Sequence, residues 1–226
     1  RFAGDALPKT ATGTILAIAD KLETLVGIWG VGLAPTGDKD PYALRRHALG
    51  ICRLLLEKNL SLSLVELIEL ALAHFPQKEV QAQAKVADIY EFIIDRMRAY
   101  LRDQSVAGKP FTSAEIDAVL SQEPRQINDL LKRLHAIRQF NQLPEAAQLA
   151  AANKRISNIL KKMDGKVGDV VKPNLLTISA EKDLFKALKD LEKTLDHQLQ
   201  KQDFVGLLQS LVSLSKPIDQ FFADVM

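Results

Sequence analysis

The sequence has few cysteines and aromatic residues, and it has no long hydrophobic run. Its 226 residues include one cysteine and one tryptophan. A lone cysteine excludes an internal disulfide and a zinc site built from paired cysteines, and it fits a reducing cytoplasm. Cys52 falls on the apolar side of a predicted helix, so we expect a core thiol rather than a nucleophile. No apolar run approaches the roughly 20 residues that cross a bilayer, so we expect a cytoplasmic chain with no membrane association.

Motifs that carry catalysis are also missing from the sequence. It contains no glycine-rich loop of the phosphate-binding kind and no credible Ser/His/Asp set, and its four histidines are widely scattered. We therefore expect no catalytic residue, no metal and no cofactor in this chain. The net charge of +2 is too small to indicate nucleic acid by itself.

What the sequence does contain is helical periodicity. Apolar residues recur at intervals of three and four along most of the chain, and no segment alternates as a strand would. The fold class is therefore predicted to be all-α, with two helical domains. Gly108 and Pro110 mark a connector, which predicts domains over 1–105 and 106–226. The spacing predicts helices over 14–30, 40–59, 63–75, 78–104, a short one after 112, 124–140, 144–163, 179–200, 203–214 and one opening at 217.

Three of these helices have recognisable start signals. Asp40-Pro41 predicts a helix start, because the carboxylate can accept from open amide groups and proline tolerates the first helical position. Ser63 to Glu66 and Thr112 to Glu115 each have the spacing of a capping box.

Positive charge is concentrated in one part of the chain. Residues 124–175 contain ten Lys and Arg against four Asp and Glu. Such an excess can bind phosphate, although a solvated helix face has the same composition. Within this part, Lys154, Asn158 and Lys161 share one helix face, opposite a predicted inward stripe of Ile156, Leu160 and Met163.

A second pair of basic residues follows the Asp40-Pro41 signal. Arg45 and Arg46 lie beside the apolar stripe of that helix, where a guanidinium could bind phosphate. Pairing with Asp38, Asp40 or a helix terminus fits these arginines equally well. Gly50 would permit close approach, by another helix more readily than by RNA.

Residues 35–50 carry a family resemblance. They read Pro-Thr-Gly-Asp-Lys-Asp-Pro-Tyr-Ala-Leu-Arg-Arg-His-Ala-Leu-Gly, which closely resembles a segment of the bacterial glycyl-tRNA synthetase β subunit. Segments 18–27, 152–162 and 217–226 resemble the same family, in the same order. Because the resemblance spans the chain, we expect roughly the C-terminal third of that subunit.

The resemblance implies an architecture and a function. Residues 1–105 would be the end of an HD-like helical domain with a long connector helix, and 106–226 a helical-bundle anticodon-binding domain. In this family the α subunit of an α2β2 assembly activates glycine with ATP and Mg²⁺, and the β subunit binds tRNA(Gly). Lysines and arginines would then hold the RNA backbone, and Asn153, Asn158 or an arginine would read unpaired bases. The candidate tRNA-binding residues are Arg45, Arg46, Arg125, Lys132, Arg133, Asn153, Lys154, Arg155, Asn158, Lys161 and Lys162.

Two alternatives remain at this point. One is a helical module that only binds a partner protein. The other is a degenerate HD-type phosphohydrolase, since Ala19-Asp20-Lys21 resembles the final aspartate segment of that superfamily. Its metal site needs several converging ligands, and this sequence has no His-Asp dipeptide. We therefore expect Asp20 to be a residue of a polar helix face.

Overall fold

The computed structural model describes residues 6–37, 39–75, 85–106, 108–163, 168 and 170–225. Within these ranges the regular elements are helices apart from a small hairpin, which confirms the all-α prediction. Residues 78–84 of the predicted fourth helix lie outside the described ranges. The α-helices are α1 (Ala11–Gly30), α2 (Leu44–Glu57), α3 (Leu64–Ala73), α4 (Val86–Arg102), α5 (Ser113–Leu120), α6 (Leu130–Phe140), α7 (Ala146–Lys162), α8 (Ser179–Gln200), α9 (Phe204–Leu211) and α10 (Ser215–Asp224).

The hairpin occupies the predicted connector. Strands β1 (Ser105–Val106) and β2 (Lys109–Pro110) pair antiparallel, and Gly108 between them has a φ of +75°. By packing, however, the chain divides into Arg1–Leu134 and His135–Met226, here called unit 1 and unit 2. The hairpin lies inside unit 1 because α5, which follows it, packs against α4. A domain boundary at the connector stays a prediction.

Unit 1 has an extensive apolar core. Helix α2 packs against α1 and α4, and α3 packs against the same two helices. Their apolar stripes meet in the interior, where burial of each large aliphatic side chain contributes about 1.5–3 kcal/mol. The largest side chains that are fully buried are Leu25, Leu44, Ile51, Leu54, Leu55, Leu64, Ile68, Ile89, Ile93, Met97, Leu101 and Ile116.

The start of α2 differs from the prediction in one respect. Asp40 does accept from open amides, with Oδ1 2.8 Å from the Leu44 nitrogen and Oδ2 3.0 Å from the Arg45 nitrogen. The helix nevertheless begins at Leu44, and Pro41 lies in a preceding turn. Ala43 closes that turn in the left-handed conformation, with a φ of 54°. The carboxylate therefore caps the helix from four residues upstream.

Both of the other start signals cap their helices, Ser63 with one bond of the predicted box and Thr112 with both. The Ser63 hydroxyl accepts from the Glu66 nitrogen at 3.3 Å. In α5 both bonds of the capping box form: Thr112 Oγ1 accepts from the Glu115 nitrogen at 3.2 Å, and Glu115 Oε2 accepts from the Thr112 nitrogen at 2.7 Å. Each bond satisfies an amide that the helix leaves open.

Unit 2 is built around α8. Helices α9 and α10 pack against α8, and α10 also packs against α7. The predicted bounds of α8 are confirmed at both ends. Among the described residues of this unit, few side chains are deeply buried; they include Phe204 and Leu214. No described helix of the chain is both long enough and apolar enough to cross a membrane.

Candidate nucleic-acid interface

The orientation of α7 decides which of its side chains face solvent. The predicted inward stripe is wrong for three residues, since Ile156, Leu160 and Met163 are 38%, 48% and 52% exposed. Helix α10 instead packs beside a different face of α7, where the Gln148 amide donates to the Asp219 carboxylate. Periodicity locates an apolar stripe but does not identify the neighbour that covers it. The prediction from periodicity therefore assigned the wrong face of α7 to the interior.

One face of α7 forms an open concavity of about 380 Å³. Lys154 and Asn158 lie together in it, as their spacing predicts. Lys161 is not among the residues that line the concavity. The next residue, Lys162, lines it instead. The full lining is Ala151, Lys154, Arg155, Asn158, Ile159 and Lys162. The concavity therefore combines three cations and an amide with a small apolar floor.

Arg155 connects this concavity to α10. Its guanidinium carbon lies 3.9 Å from the centre of the Phe222 ring, well within the range of a cation–π contact. The Phe222 ring is itself fixed edge-on by Phe221, at 5.8 Å between centroids and 69° between planes. An exposed arginine thereby lies against a half-buried aromatic ring.

In unit 1, Arg133 of the candidate set forms a bidentate ion pair. Its Nε and Nη2 lie 2.9 and 2.8 Å from the two carboxylate oxygens of Asp129, whose side chain is only 6% exposed. Leaving that buried carboxylate unpaired would be costly, so Arg133 has a structural role. Arg125 and Lys132 are exposed.

The two arginines of α2 differ in their surroundings. Arg45 is half-buried, and its guanidinium donates to the Gly37 carbonyl oxygen, which ties the preceding loop to the helix. Arg46 is exposed. The structure thus supports the structural alternative for Arg45, whereas the predicted partner Asp38 lies outside the described residues.

The residues around Asp20 do not fit a metal site. The Asp20 side chain is 70% exposed and lies 3.8 Å from the Lys21 ammonium group. Among the residues that the structure describes, no group of three His, Cys, Asp or Glu side chains could hold a metal ion.

Burial lowers the pKa of nearby His47 below its usual value, and Lys21 lowers it further.

Gly50 has the close neighbour that the sequence indicated, but it is a side chain. A β-carbon at this position would lie 2.6 Å from Cε of Lys21, so the lysine stem of α1 crosses the bare backbone of α2. The contact of Lys21 with Gly50 and the contact of Arg155 with Phe222 each join residues that are far apart in the sequence. No local pattern could have revealed either of them.

Comparison with known proteins assigns the two parts of the chain. Residues 149–226, which include α7 from Leu149 onward and every residue that lines its concavity, match the family described as DALR anticodon binding domain. The class is therefore that of proteins with a helical anticodon-binding domain. Residues 1–121 match the family described as Glycyl-tRNA synthetase beta subunit, and the chain belongs to that family.

Curated relatives agree along the whole chain. It is 51% identical over all 226 residues to the glycine–tRNA ligase beta subunit of Ralstonia nicotianae. It is 49% identical to that of Leptothrix cholodnii and 47% identical to that of Delftia acidovorans, again over its full length. The chain spans 31% of the length of each of these relatives.

Proposed function

We propose that this chain is the tRNA-recognition part of a glycine–tRNA ligase β subunit and binds tRNA(Gly), including its anticodon. One observation carries the proposal. The segment that matches an anticodon-binding family contains the α7 face on which Lys154, Arg155, Asn158 and Lys162 line a single concavity. Basic side chains around an uncharged amide suit a flexible, unpaired stretch of RNA.

The lysines and the asparagine of the concavity have different roles in this proposal. Lys154 and Lys162 contact phosphates, which supply affinity without sequence information. Asn158 offers both a donor and an acceptor, so it can read the edge of an unpaired base. Because α7 is a regular helix, these groups are held at a fixed spacing along the RNA.

The chemistry belongs to a partner in this proposal. The α subunit of an α2β2 assembly activates glycine with ATP and Mg²⁺ in the cytoplasm, and this chain holds the tRNA while glycyl-tRNA, AMP and pyrophosphate form. The identity to the glycine–tRNA ligase beta subunit over 31% of its length supports this division of labour. In this division of labour, the chain itself has no catalytic residue and no cofactor.

The proposal is tested by measuring binding of the chain to tRNA(Gly) and to the same tRNA with an altered anticodon. We expect tighter binding of the unaltered tRNA and a steep loss of affinity with salt. The double variant Lys154→Ala/Lys162→Ala should weaken binding and lower the salt slope by roughly 0.7–0.9 per lost phosphate contact. Asn158→Ala should weaken only the cognate tRNA, by about 1–3 kcal/mol if base-edge discrimination resembles that on DNA.

A matched control uses lysines of the same unit. Lys186 and Lys193 are exposed on α8, and the double variant Lys186→Ala/Lys193→Ala removes the same charge. It should change tRNA binding far less than the α7 variant does. Equal losses in the two variants would show that net charge, not the α7 face, governs binding, and equal affinity for both tRNAs would contradict anticodon recognition.

A second candidate function rests on the exposed stripe of α7. Ile156, Leu160 and Met163 present apolar surface on the face away from the lysines. A helical interaction module that binds a partner protein would use such a stripe. Docking of this kind weakens little with salt, so substituting Leu160→Ser should abolish it while leaving the salt-dependent binding of tRNA unchanged.

A further inference from the structure

We propose that Arg155, seated on Phe222, is a stacking platform for one unpaired base of the bound RNA. This inference rests on the proposed function and assigns to that site a specificity for single-stranded RNA. It makes Arg155 a residue that touches a base through the face of its guanidinium, in contrast to the lysines, which touch phosphates.

The geometry of Arg155 is what sets it apart. A guanidinium is planar and has two faces, and here its carbon lies 3.9 Å from the centre of the Phe222 ring. The ring therefore lies against the guanidinium. Because Arg155 is an exposed residue, its side chain remains accessible to a base. Unpaired bases stack readily on the planes of arginine side chains.

The contact with Phe222 favours one placement of the Arg155 side chain before RNA binds. An exposed arginine normally loses rotamer entropy when it is fixed. Phe222 holds Arg155 in advance, and the edge-on contact with Phe221 holds Phe222. Binding a base here therefore carries less of that entropic cost.

The surrounding residues complete a site for one nucleotide. Asn158 follows Arg155 by three positions and Lys162 by seven, so both lie on the same side of α7. A base on the guanidinium would have the Asn158 amide beside its edge, and its flanking phosphates would have Lys154 and Lys162 within the same concavity. A base inside a duplex exposes no face, so the platform selects single-stranded RNA.

The test compares the chain with the variants Arg155→Lys and Phe222→Leu. Arg155→Lys keeps the charge and removes the plane, and Phe222→Leu keeps apolar volume and removes the ring under the guanidinium. The probe is a single-stranded RNA oligonucleotide that contains 2-aminopurine, whose fluorescence falls when it stacks, together with the same RNA as a duplex. Circular dichroism checks that both variants keep their helices.

We expect the unaltered chain to quench the probe and to prefer the single strand to the duplex. Arg155→Lys should lose the quench and bind the single strand about 5- to 160-fold more weakly, which is the range for loss of one base stacked on an aromatic side chain. Its salt slope should stay the same because no phosphate contact is lost. Phe222→Leu should show a smaller loss in the same direction.

Failure of the stacking platform and failure of the proposed function would give different results. If the unaltered chain binds RNA with a normal salt slope and Arg155→Lys quenches and binds as well as it does, the platform is wrong and the proposed function stands. If the unaltered chain binds no RNA at all, the proposed function itself fails.

Discussion

Cys52 is buried between α2 and α4, with its sulfur 3.5 Å from the Ile93 carbonyl oxygen. Burial raises the pKa of the thiol to about 12. The nucleophilic thiolate is therefore almost absent at neutral pH, and reagents have no access to it.

We accordingly predict that Cys52 in the folded chain does not react with a thiol reagent such as Ellman's reagent at pH 8. In a denaturing concentration of urea, one thiol per chain should react. Rapid reaction of the folded chain would contradict the burial, and Cys52→Ala serves as the blank.

His47 makes stability depend on pH. Burial lowers its pKa in the folded state below the usual 6.5, so the unfolded state binds a proton first as pH falls. The free energy of unfolding should therefore decrease as pH drops below about 6.5. It should be unaffected by this residue at higher pH, where the imidazole is neutral in both states.

The measurement is urea unfolding at several pH values for the chain and for His47→Gln. The variant should lose the decrease that begins near pH 6.5. A separate decrease should remain below about pH 4.5, because the hydrogen bond from Arg53 lowers the pKa of Glu57. Parallel curves for the two proteins between pH 6.5 and 5 would contradict the role of His47.

At the scale of one element, α2 depends on a residue outside it. Asp40 Oδ1 and Oδ2 accept from the Leu44 and Arg45 nitrogens, which are open at the start of the helix. We predict that Asp40→Ala lowers the free energy of unfolding by about 0.5–2 kcal/mol, the usual cost of a lost helix cap.

Urea unfolding at pH 7 measures this loss, and Asp40→Asn is the matched control. An amide oxygen can replace one of the two acceptors, so Asp40→Asn should lose less than Asp40→Ala. Equal stability of the chain and both variants would mean that water satisfies these amides as well as Asp40 does.

The elements also show how far a sequence can predict this fold. Capping residues and periodicity located nearly all the helices, because both are local properties of the chain. They failed on the start of α2, since a side chain can cap from four residues away across a turn. They failed again on the Ile156 stripe, because its exposure depends on where α10 packs.

The candidate site was predictable to the same extent. The shared face of Lys154 and Asn158 follows from helical spacing alone. The pairing of Arg133 with Asp129 is also local, at a spacing of four, yet only the burial of Asp129 shows that it is structural. The contact of Arg155 with Phe222 depends on tertiary packing, so the sequence could not indicate it.

At the scale of the whole molecule, the two units differ in their cores. Unit 1 contains the fully buried side chains of α1 to α4, whereas the described part of unit 2 buries few large side chains. The single tryptophan, Trp29, lies in unit 1 with its ring 5.0 Å from that of Phe92. Its fluorescence therefore reports on unit 1 alone.

We predict that urea unfolds unit 2 first. The far-ultraviolet circular dichroism signal, to which both units contribute, should begin to fall at a lower urea concentration than the Trp29 fluorescence changes. Coincident transitions by both probes would show one cooperative unit and contradict this expectation.

Four described residues that carry a β-carbon hold the left-handed conformation: Ala43, Asn59, Glu123 and Gln202, with φ between 46° and 55°. For residues other than glycine and asparagine this geometry costs roughly 1–2 kcal/mol. Glu123 lies in the exposed turn that follows α5, where glycine would adopt the same conformation without that strain. The fold thus leaves room for evolution or engineering to raise thermal tolerance at a helix end, without altering a side chain of the α7 concavity.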